Sequence, residues 1–376
     1  MTTIEIPRGL KGVLVADTEI GEVRGDEGFF HYRQYSAIDI ARHRSFEDAW
    51  TLLFDGALPS HCTEAIDPGP HRALPQPVLD VLPHIAATNP APMDALRTAL
   101  SLYCAHLRLA PMLDCTPVQR RADALQVAAA IPALVDTIHA IQQDRTPMQP
   151  EPSAGHAADH LRMITGTQPD PQRVRALETY LLLTIDHGFN ASTFTARVIA
   201  STGADLGAAL VGALGALSGP LHGGAPSRAL DALNEIGTAA NAERWARDKL
   251  ANGEKLMGFG HAVYRTRDPR SQLLREVAMN LGGPQVELAV EVEDRVVSVL
   301  REAKPGRELY ANVEYYAGVV MAACGIPPEM FTPTFAVSRV IGWCAHLLEQ
   351  TADNTLIRPS ARYVGPPPPQ PLPLPE

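Results

Sequence analysis

The chain has 376 residues, of which 45% are hydrophobic and 20% charged, as expected of a globular protein long enough for two domains. Its formal net charge of −10 disfavours general nucleic-acid binding, which needs a basic face, but a local arginine cluster can still bind a small anion. Aromatic residues make up only 6% of the chain, while alanine and leucine are abundant, so the composition favours helices.

The cysteines and the apolar segments indicate the compartment. Five scattered cysteines without a CxxC pair favour free thiols in a reducing compartment over disulfides or a zinc site. Residues 1–7 lack a basic region followed by an apolar one, so we predict no signal peptide and a cytoplasmic location. The apolar stretch 198–217 contains Asp205 and several glycines, which predicts a buried helix and no membrane association.

The N-terminal half begins with a predicted small β-hairpin within 9–35, where a turn sequence precedes a run of aromatic residues. Ser45 opens a predicted capping box, and the helix behind it is amphipathic. Thr116 followed by proline predicts the start of a helix that continues to about Gln143. Asp170, also followed by proline, starts another helix.

The C-terminal half is predicted to be helical throughout. The predicted segments are 226–237, 241–252, 269–281, 285–303, 312–324 and 334–350. The tail 366–376 is too rich in proline for a helix or a central strand, which predicts polyproline II or disorder. The chain is therefore predicted to be mostly α-helical.

The most informative stretch is 219–224, with the sequence GPLHGG. A lone histidine is more often structural than functional. Here glycines flank His222, remove side-chain walls and let a ligand approach the backbone, so a functional role is favoured. His261 occupies a similar turn at 258–261, with the sequence GFGH.

The segment 256–270 carries His261 among several arginines. It fits a dinucleotide fingerprint poorly, because the third glycine is missing and no βαβ unit surrounds it. Its arginines and backbone groups favour a turn that binds a phosphate or a carboxylate. The plainer interpretation is a loop before a helix that Asp268 caps, with Pro269 as the first helical residue.

Glu314 and Arg339 complete the candidate set. The helix dipole alone can explain Glu314, which follows a potential cap at Asn312. Arg339 lies in an otherwise apolar helix, where a buried arginine needs an anionic partner. His187 and Arg358 are equally compatible with structural roles. Two imidazoles, a carboxylate and several arginines nevertheless suggest chemistry on a polarised carbonyl of an anionic substrate.

Together these segments resemble the citrate synthase family over nearly the whole chain, most specifically at 219–224, 258–270 and 312–318. The resemblance implies a mostly α, two-domain helical fold with a small N-terminal β-hairpin. It implies a large domain from 1–217 and 322–376 and a small domain, 218–321, that closes over the active-site cleft. It also implies a homodimer.

The family's reaction condenses acetyl-CoA with oxaloacetate to give citrate and free CoA, with acetyl-CoA as co-substrate and neither a metal nor another cofactor. Enolising a thioester needs a base and a donor to the enol oxygen. By resemblance, Glu314 is the base, His222 donates to the thioester carbonyl and His261 to the keto oxygen of oxaloacetate. The residues assigned to oxaloacetate are His187, Arg270, Arg339 and, supplied by the partner subunit, Arg358. The residues assigned to CoA are Leu256, Met257, Gly258, Phe259, Gly260, Arg265, Lys304 and Arg307.

Three positions depart from the family's pattern. The usual base is aspartate, and the extra methylene of Glu314 moves the carboxylate by more than ~1 Å unless the backbone compensates. The common Asp-His-Glu is Asp-His-Gly at 186–188. The common Tyr-Arg-Gly-Tyr is Tyr-Arg-Gln-Tyr at 32–35, which we place far from the chemistry.

Other activities are compatible with the same residues. A 2-methylcitrate synthase would use propionyl-CoA, and one methylene in an apolar pocket is worth only ~1–3 kcal/mol of discrimination. A weakly active ligand-binding member of the family is the second alternative, because of Glu314. A metal hydrolase is disfavoured, since the 13 histidines include no HExxH motif.

Overall fold

A computed structural model of the chain describes residues 7–10, 12–61, 64–220, 222–223, 225–260, 263–353 and 355–372. The role predicted for His261 therefore concerns a residue outside the described part of the chain. His222, Glu314 and the predicted arginines are all described.

Three antiparallel strands form a small sheet near the N-terminus, in the order β1-β2-β3. They are β1 (Gly21–Arg24), β2 (Phe29–Tyr32) and β3 (Tyr35–Ser36). Gly21 pairs with Tyr32 in the first ladder. Phe30 and Tyr32 point to the buried face of β2, as the alternation of a strand requires. The predicted hairpin is confirmed, with a third strand added.

The rest of the fold is helical. The helices of the first half are α1 (Ala37–His43), α2 (Phe46–Asp55), α3 (Gln76–Leu79), α4 (Leu82–Ala87), α5 (Pro92–Leu107), α6 (Pro117–Gln142), α7 (His156–Thr165) and α8 (Pro171–Thr184). Those of the second half are α9 (Ala191–Ala200), α10 (Leu206–Leu217), α11 (Ala225–Ile236), α12 (Ala242–Ala251), α13 (Pro269–Leu281), α14 (Pro284–Ala303), α15 (Val313–Ala323) and α16 (Phe331–Asp353). The prediction of a mostly α-helical chain is confirmed.

The predicted helix starts are confirmed by their capping hydrogen bonds. Ser45 and Thr116 both form capping boxes, and Asp170, Asp268 and Asn312 each accept a backbone N–H of the first turn. These side chains satisfy donors that a helix cannot satisfy internally, so short local sequences fix where the helices begin.

The single buried helix predicted over 198–217 is wrong. The chain breaks between α9 and α10, because Asp205 lies there in extended conformation and accepts the N–H of Ala208 as the cap of α10. Among the residues that the structure describes, the helix with the length and apolar composition of a membrane span is instead α6. Because 78% of its apolar window is buried inside the protein, α6 is a core helix, packed on α5, α7 and α16.

Helix α16 crosses the end of α8 at very short range. A Cβ on Gly342 would lie 2.2 Å from the carbonyl oxygen of Ile185. Nearby, Ser338 donates to the carbonyl of Leu181 at 2.6 Å. This close approach brings Arg339, which lies between these two contacts on α16, against the end of α8.

We expect Gly342→Ala to destabilise the fold by about 2 kcal/mol or more, because the added methyl group must displace backbone. The matched control is Gly215→Ala in α10, where a Cβ would meet nothing within 4 Å. There the better helix propensity of alanine should leave stability unchanged or raise it by up to ~1 kcal/mol. Urea unfolding of both variants measures the difference, and equal midpoints would contradict the close crossing.

Candidate active site

His222 lies in the turn between α10 and α11, and backbone packing fixes this turn. The N–H of Gly223 donates to the carbonyl of Leu217 at 2.9 Å, and a Cβ on Gly223 would lie 2.5 Å from that oxygen. Thr332, at the start of α16, donates its hydroxyl to the carbonyl of Gly223 at 3.0 Å. The glycine is therefore required for close packing that holds His222 against α10 and α16.

The ring of His222 is held by Ser192 on α9. Its Nε2 lies 2.8 Å from Ser192 Oγ, which also lies 2.8 Å from Asn190 Oδ1. Trp343 Nε1 donates to the same hydroxyl at 3.2 Å. A hydroxyl has a single proton, so Ser192 can donate to His222 or to Asn190 but not to both. Burial, assisted by the charge of Arg339, lowers the pKa of His222 to about 4. The imidazole is therefore neutral at neutral pH.

Asp268 joins the starts of α13 and α15. It accepts the backbone N–H of Arg270 at 3.0 Å, and its two carboxylate oxygens accept Nε and Nη2 of that arginine at 3.0 and 2.9 Å. One oxygen also accepts the N–H of Val313 at 3.1 Å. Both charged side chains are buried, with only 2% and 4% exposed. This ion pair fixes Arg270 beside the first turn of α15.

Glu314 lies in that first turn. Asn312 accepts its backbone N–H at 3.1 Å and donates its own side-chain N–H to the carbonyl of Gly260 at 2.8 Å. The carboxylate is partly buried and makes no hydrogen bond to the described residues. Burial raises the pKa of Glu314 to about 7, with Arg270 opposing the increase and Asp268 adding to it. A large fraction of the carboxylate is thus protonated at neutral pH.

Arg339 is the electrostatic neighbour that His222 and Glu314 share. Its charge lowers the pKa of both groups. It is buried, donates Nε to the carbonyl of Thr184 at 2.7 Å and lies 4.6 Å from the ring centroid of Phe335. Its terminal nitrogens make no hydrogen bond to the described residues, so they can bind an anion.

His187 and Arg270 are held by the same two aromatic rings. The centroid of the His187 ring lies 5.6 Å from that of Phe30 and 5.7 Å from that of Tyr264. The guanidinium carbon of Arg270 lies 6.0 Å from the first of these centroids and 5.6 Å from the second. The hydroxyl of Tyr264 lies 3.1 Å from Nε2 of His187. These contacts bring an imidazole from one half of the chain beside a cation from the other.

A cleft of about 580 Å³ opens beside His222. Its lining includes seven residues predicted to bind CoA: Leu256, Met257, Gly258, Phe259, Gly260, Lys304 and Arg307. Arg228 and Lys255, which we did not predict, add two further cations. Gly258 and Gly260 have φ of 85° and 79°, conformations that favour glycine and shape the turn. Four cations around a bare backbone turn suit a ligand with several phosphates.

Two predicted residues lie elsewhere. Arg265 is exposed and lines an adjoining cavity of about 290 Å³, which shares Gly260 and Arg307 with the main cleft. Arg358 is exposed in the segment after α16, where the N–H of Ile357 donates to Ser201 Oγ at 3.0 Å. Ser201 follows α9 at the end opposite to the one that holds His222, roughly 15 Å away for ten residues of helix.

Three residues that support the site have no local sequence pattern that marks them. Ser192, Trp343 and Tyr264 each act through contacts between distant segments. The placement of 32–35 far from the chemistry is wrong for Tyr32, whose hydroxyl donates to the carbonyl of Leu182 at 2.7 Å, next to the end of α8. The alternation of β2, which buries Phe30 and Tyr32 on one face, is the sequence pattern that places Tyr32 against the helices. No group of three or more His, Cys, Asp and Glu side chains is placed to hold a metal among the residues that the structure describes.

The chain matches a known family over nearly its whole length. The family model described as "Citrate synthase, C-terminal domain" matches residues 9–360. The chain belongs to the citrate synthase family. The "Putative citrate synthase 2" of Mycobacterium tuberculosis is 40% identical over 365 residues, covering 96% of this chain and 94% of the relative.

Solved citrate synthases have the same fold. The enzyme of Pyrobaculum aerophilum has 33% identity and a TM-score of 0.90, and the match covers 100% of this chain and 99% of the other. The citrate synthase of Thermoplasma acidophilum, solved as a ternary complex with carboxymethyl coenzyme A and oxaloacetate, has 30% identity, a TM-score of 0.88 and 99% coverage of both chains. The predicted family, helical fold and acyltransferase class of this protein are confirmed.

The raised pKa of Glu314 predicts how the stability of the protein depends on pH. The pKa of Glu314 in the folded protein lies above the ordinary value of 4.5, so the folded protein keeps a proton at pH values where the unfolded chain has released it. The stability associated with this proton is complete below about pH 4.5 and is lost as the pH rises through about 7. Glu314→Gln removes the loss, so its stability relative to wild type should increase by about 2–3 kcal/mol between pH 5 and pH 8. Urea unfolding at both values measures this difference, and a constant difference would contradict the raised pKa.

Proposed function

We propose that this protein condenses acetyl-CoA with oxaloacetate and water to give citrate and free CoA, with Glu314 as the base. The observation that carries the proposal is the convergence of a neutral His222 and a partly protonated Glu314 on Arg339, beside a basic cleft. The family and the ligands of the Thermoplasma acidophilum complex support the choice of substrates.

The carbon–carbon bond forms in two stages. The ionised Glu314 carboxylate takes a proton from the methyl group of acetyl-CoA, and a base with a pKa near the working pH is the most effective for this task. The negative charge that develops moves to the thioester oxygen, where His222 donates a hydrogen bond. The enol carbon then bonds to the keto carbon of oxaloacetate, whose oxygen we assign to His261. Hydrolysis of citryl-CoA releases citrate and CoA.

The neutral state of His222 suits this role. When the hydroxyl proton of Ser192 goes to Nε2, the ring carries its own proton on Nδ1 and can donate it to a ligand. The lowered pKa keeps the ring from binding a second proton near neutral pH. We therefore propose that Ser192 turns its hydroxyl from Asn190 Oδ1, its acceptor in this structure, to Nε2 and so sets the tautomer of His222.

The dicarboxylate is assigned to Arg270, Arg339 and His187, which the structure gathers around the end of α8 and the start of α13. The buried ion pair with Asp268 orients Arg270, while the terminal nitrogens of Arg339 are directed by the bond to Thr184. The two guanidinium groups suit the geometry of a carboxylate, which accepts two parallel N–H donors.

The cleft beside His222 is proposed as the CoA site. Lys304 and Arg307 line it together with the backbone turn 256–260. Arg265, in the adjoining cavity, would contact a phosphate at its edge. We also propose that 218–321 forms a small domain that closes over this cleft, that the protein is a homodimer, and that it works in the cytoplasm. Use of propionyl-CoA and ligand binding without turnover are not favoured, since the relatives are named citrate synthases.

We expect Glu314→Gln to lower kcat for thiol release from acetyl-CoA and oxaloacetate by about 10²-fold or more, because general-base catalysis contributes at least that much. Oxaloacetate should still bind, as its proposed ligands are intact. The rate is followed by the appearance of the free thiol, and binding by calorimetry.

The matched control is Glu287→Gln, a change to an exposed glutamate in the first turn of α14. Like Glu314, Glu287 lies in the first turn of a helix, but it does not line the cleft, so the kcat of this variant should equal that of wild type. Near-native turnover of Glu314→Gln would rule out this base. No thiol release by the wild-type protein with any acyl-CoA would rule out the condensation itself.

The position of Arg358 predicts complementation between subunits. If it completes the partner's site, then Glu314→Gln and Arg358→Ala subunits are each inactive alone, but a mixed dimer contains one intact site. Random co-assembly should restore about a quarter of wild-type activity, since half the dimers are mixed and each has one of two sites intact. Co-expression with two affinity tags provides the mixed dimer. Failure to recover activity there would show that Arg358 does not act across a dimer.

A further inference from the structure

The N-terminal hairpin contacts the segment 263–266, which crosses in front of His187 and Arg270. The N–H of Arg265 donates to the carbonyl of Gly25 at 3.1 Å. A Cβ on Gly25 would lie 2.3 Å from the carbonyl oxygen of Val263, so only glycine allows this approach. On the same side, a Cβ on Gly28 would lie 2.7 Å from Thr266 Oγ1.

The same hairpin is also attached to the end of α8. The hydroxyl of Tyr32 donates to the carbonyl of Leu182, and Phe30 packs on the edge of the His187 ring. Strand β2 is thus held against the end of α8, and its Phe30 contacts the ring of His187. The turn of the hairpin, β1 to β2, reaches over to the segment that carries Tyr264.

Tyr264 connects the two sides. Its hydroxyl lies 3.1 Å from Nε2 of His187, and its ring lies under the guanidinium of Arg270. Burial raises the pKa of Tyr264, so the phenol remains protonated and can donate to the imidazole nitrogen. Such a bond places the ring proton of His187 on Nδ1 and orients the ring.

We propose that Tyr264 is a positioning residue for the dicarboxylate, and that it acts with the hairpin contact at Gly25 as a clasp that holds 263–266 against His187 and Arg270. The inference rests on the proposed function only for the identity of the ligand, oxaloacetate. The clasp itself follows from the Gly25, Phe30 and Tyr264 contacts.

The test is Tyr264→Phe, which keeps the ring under Arg270 and removes only the hydroxyl. The matched control is Tyr103→Phe, which removes a hydroxyl that accepts from Gln126 at 2.9 Å in the buried contact of α5 with α6. We expect Tyr264→Phe to raise both the KM and the Kd for oxaloacetate by about 3–10-fold, the value of one hydrogen bond. Its KM for acetyl-CoA and its kcat should stay within about 2-fold of wild type, and Tyr103→Phe should change neither oxaloacetate constant.

A second variant tests the hairpin side of the clasp. Gly25→Ala should also raise the Kd for oxaloacetate, because its methyl group displaces Val263, whereas Gly215→Ala should not. Melting temperatures of all four variants separate loss of folding from loss of positioning.

The two proposals fail in different ways. If Tyr264→Phe binds oxaloacetate as tightly as wild type, or if Tyr103→Phe weakens binding equally, the clasp is wrong whatever the enzyme does. If Tyr264→Phe weakens oxaloacetate binding but wild type releases no thiol, the clasp stands and the condensation is wrong. If wild type binds no oxaloacetate in calorimetry, both proposals are overturned.

Discussion

The buried ion pair of Asp268 and Arg270 is the contact on which the site depends. Removing two charges from water costs several kcal/mol for each ion, so the pair is tolerated only because its hydrogen bonds are satisfied. Asp268 meets this condition with three donors from Arg270 and a fourth from the backbone of Val313. The consequence is geometric: the start of α13, its arginine and the first turn of α15 become one unit, and Glu314 has a fixed distance from a cation.

Burial sets the protonation states of Glu314, in that unit, and of His222, in the turn after α10. His222 and Glu314 would have pKa values about two units apart in water, with the histidine higher. In the folded protein the order is reversed, at about 4 and about 7. Desolvation dominates both changes, since it disfavours the charged form of each group. A neutral imidazole and a carboxylate that exchanges its proton near neutral pH thus share Arg339 as a neighbour, and this pairing suits the proposed enolisation.

The small sheet is part of the same arrangement. Antiparallel strands expose alternate side chains, so β2 buries Phe30 and Tyr32 together and brings both to the end of α8. Strands of four, four and two residues form a small sheet, which gains stability by packing on helices. Its position next to His187 explains why two aromatic rings, one from each half of the chain, can hold an imidazole and a guanidinium together.

The sequence by itself determined the helix starts, the hairpin and the family, because caps, turn residues and glycine-flanked histidines are local patterns. It also picked out Glu314, Arg270 and Arg339, together with His222 and seven other residues that line the cleft. Only the tertiary structure decided that Asp268 bridges two helices and that Ser192 holds His222. The same is true of the break at Asp205 and the role of Tyr264. Each of these depends on contacts between segments far apart in the chain, where packing distance and desolvation, which leave no local pattern, determine the outcome.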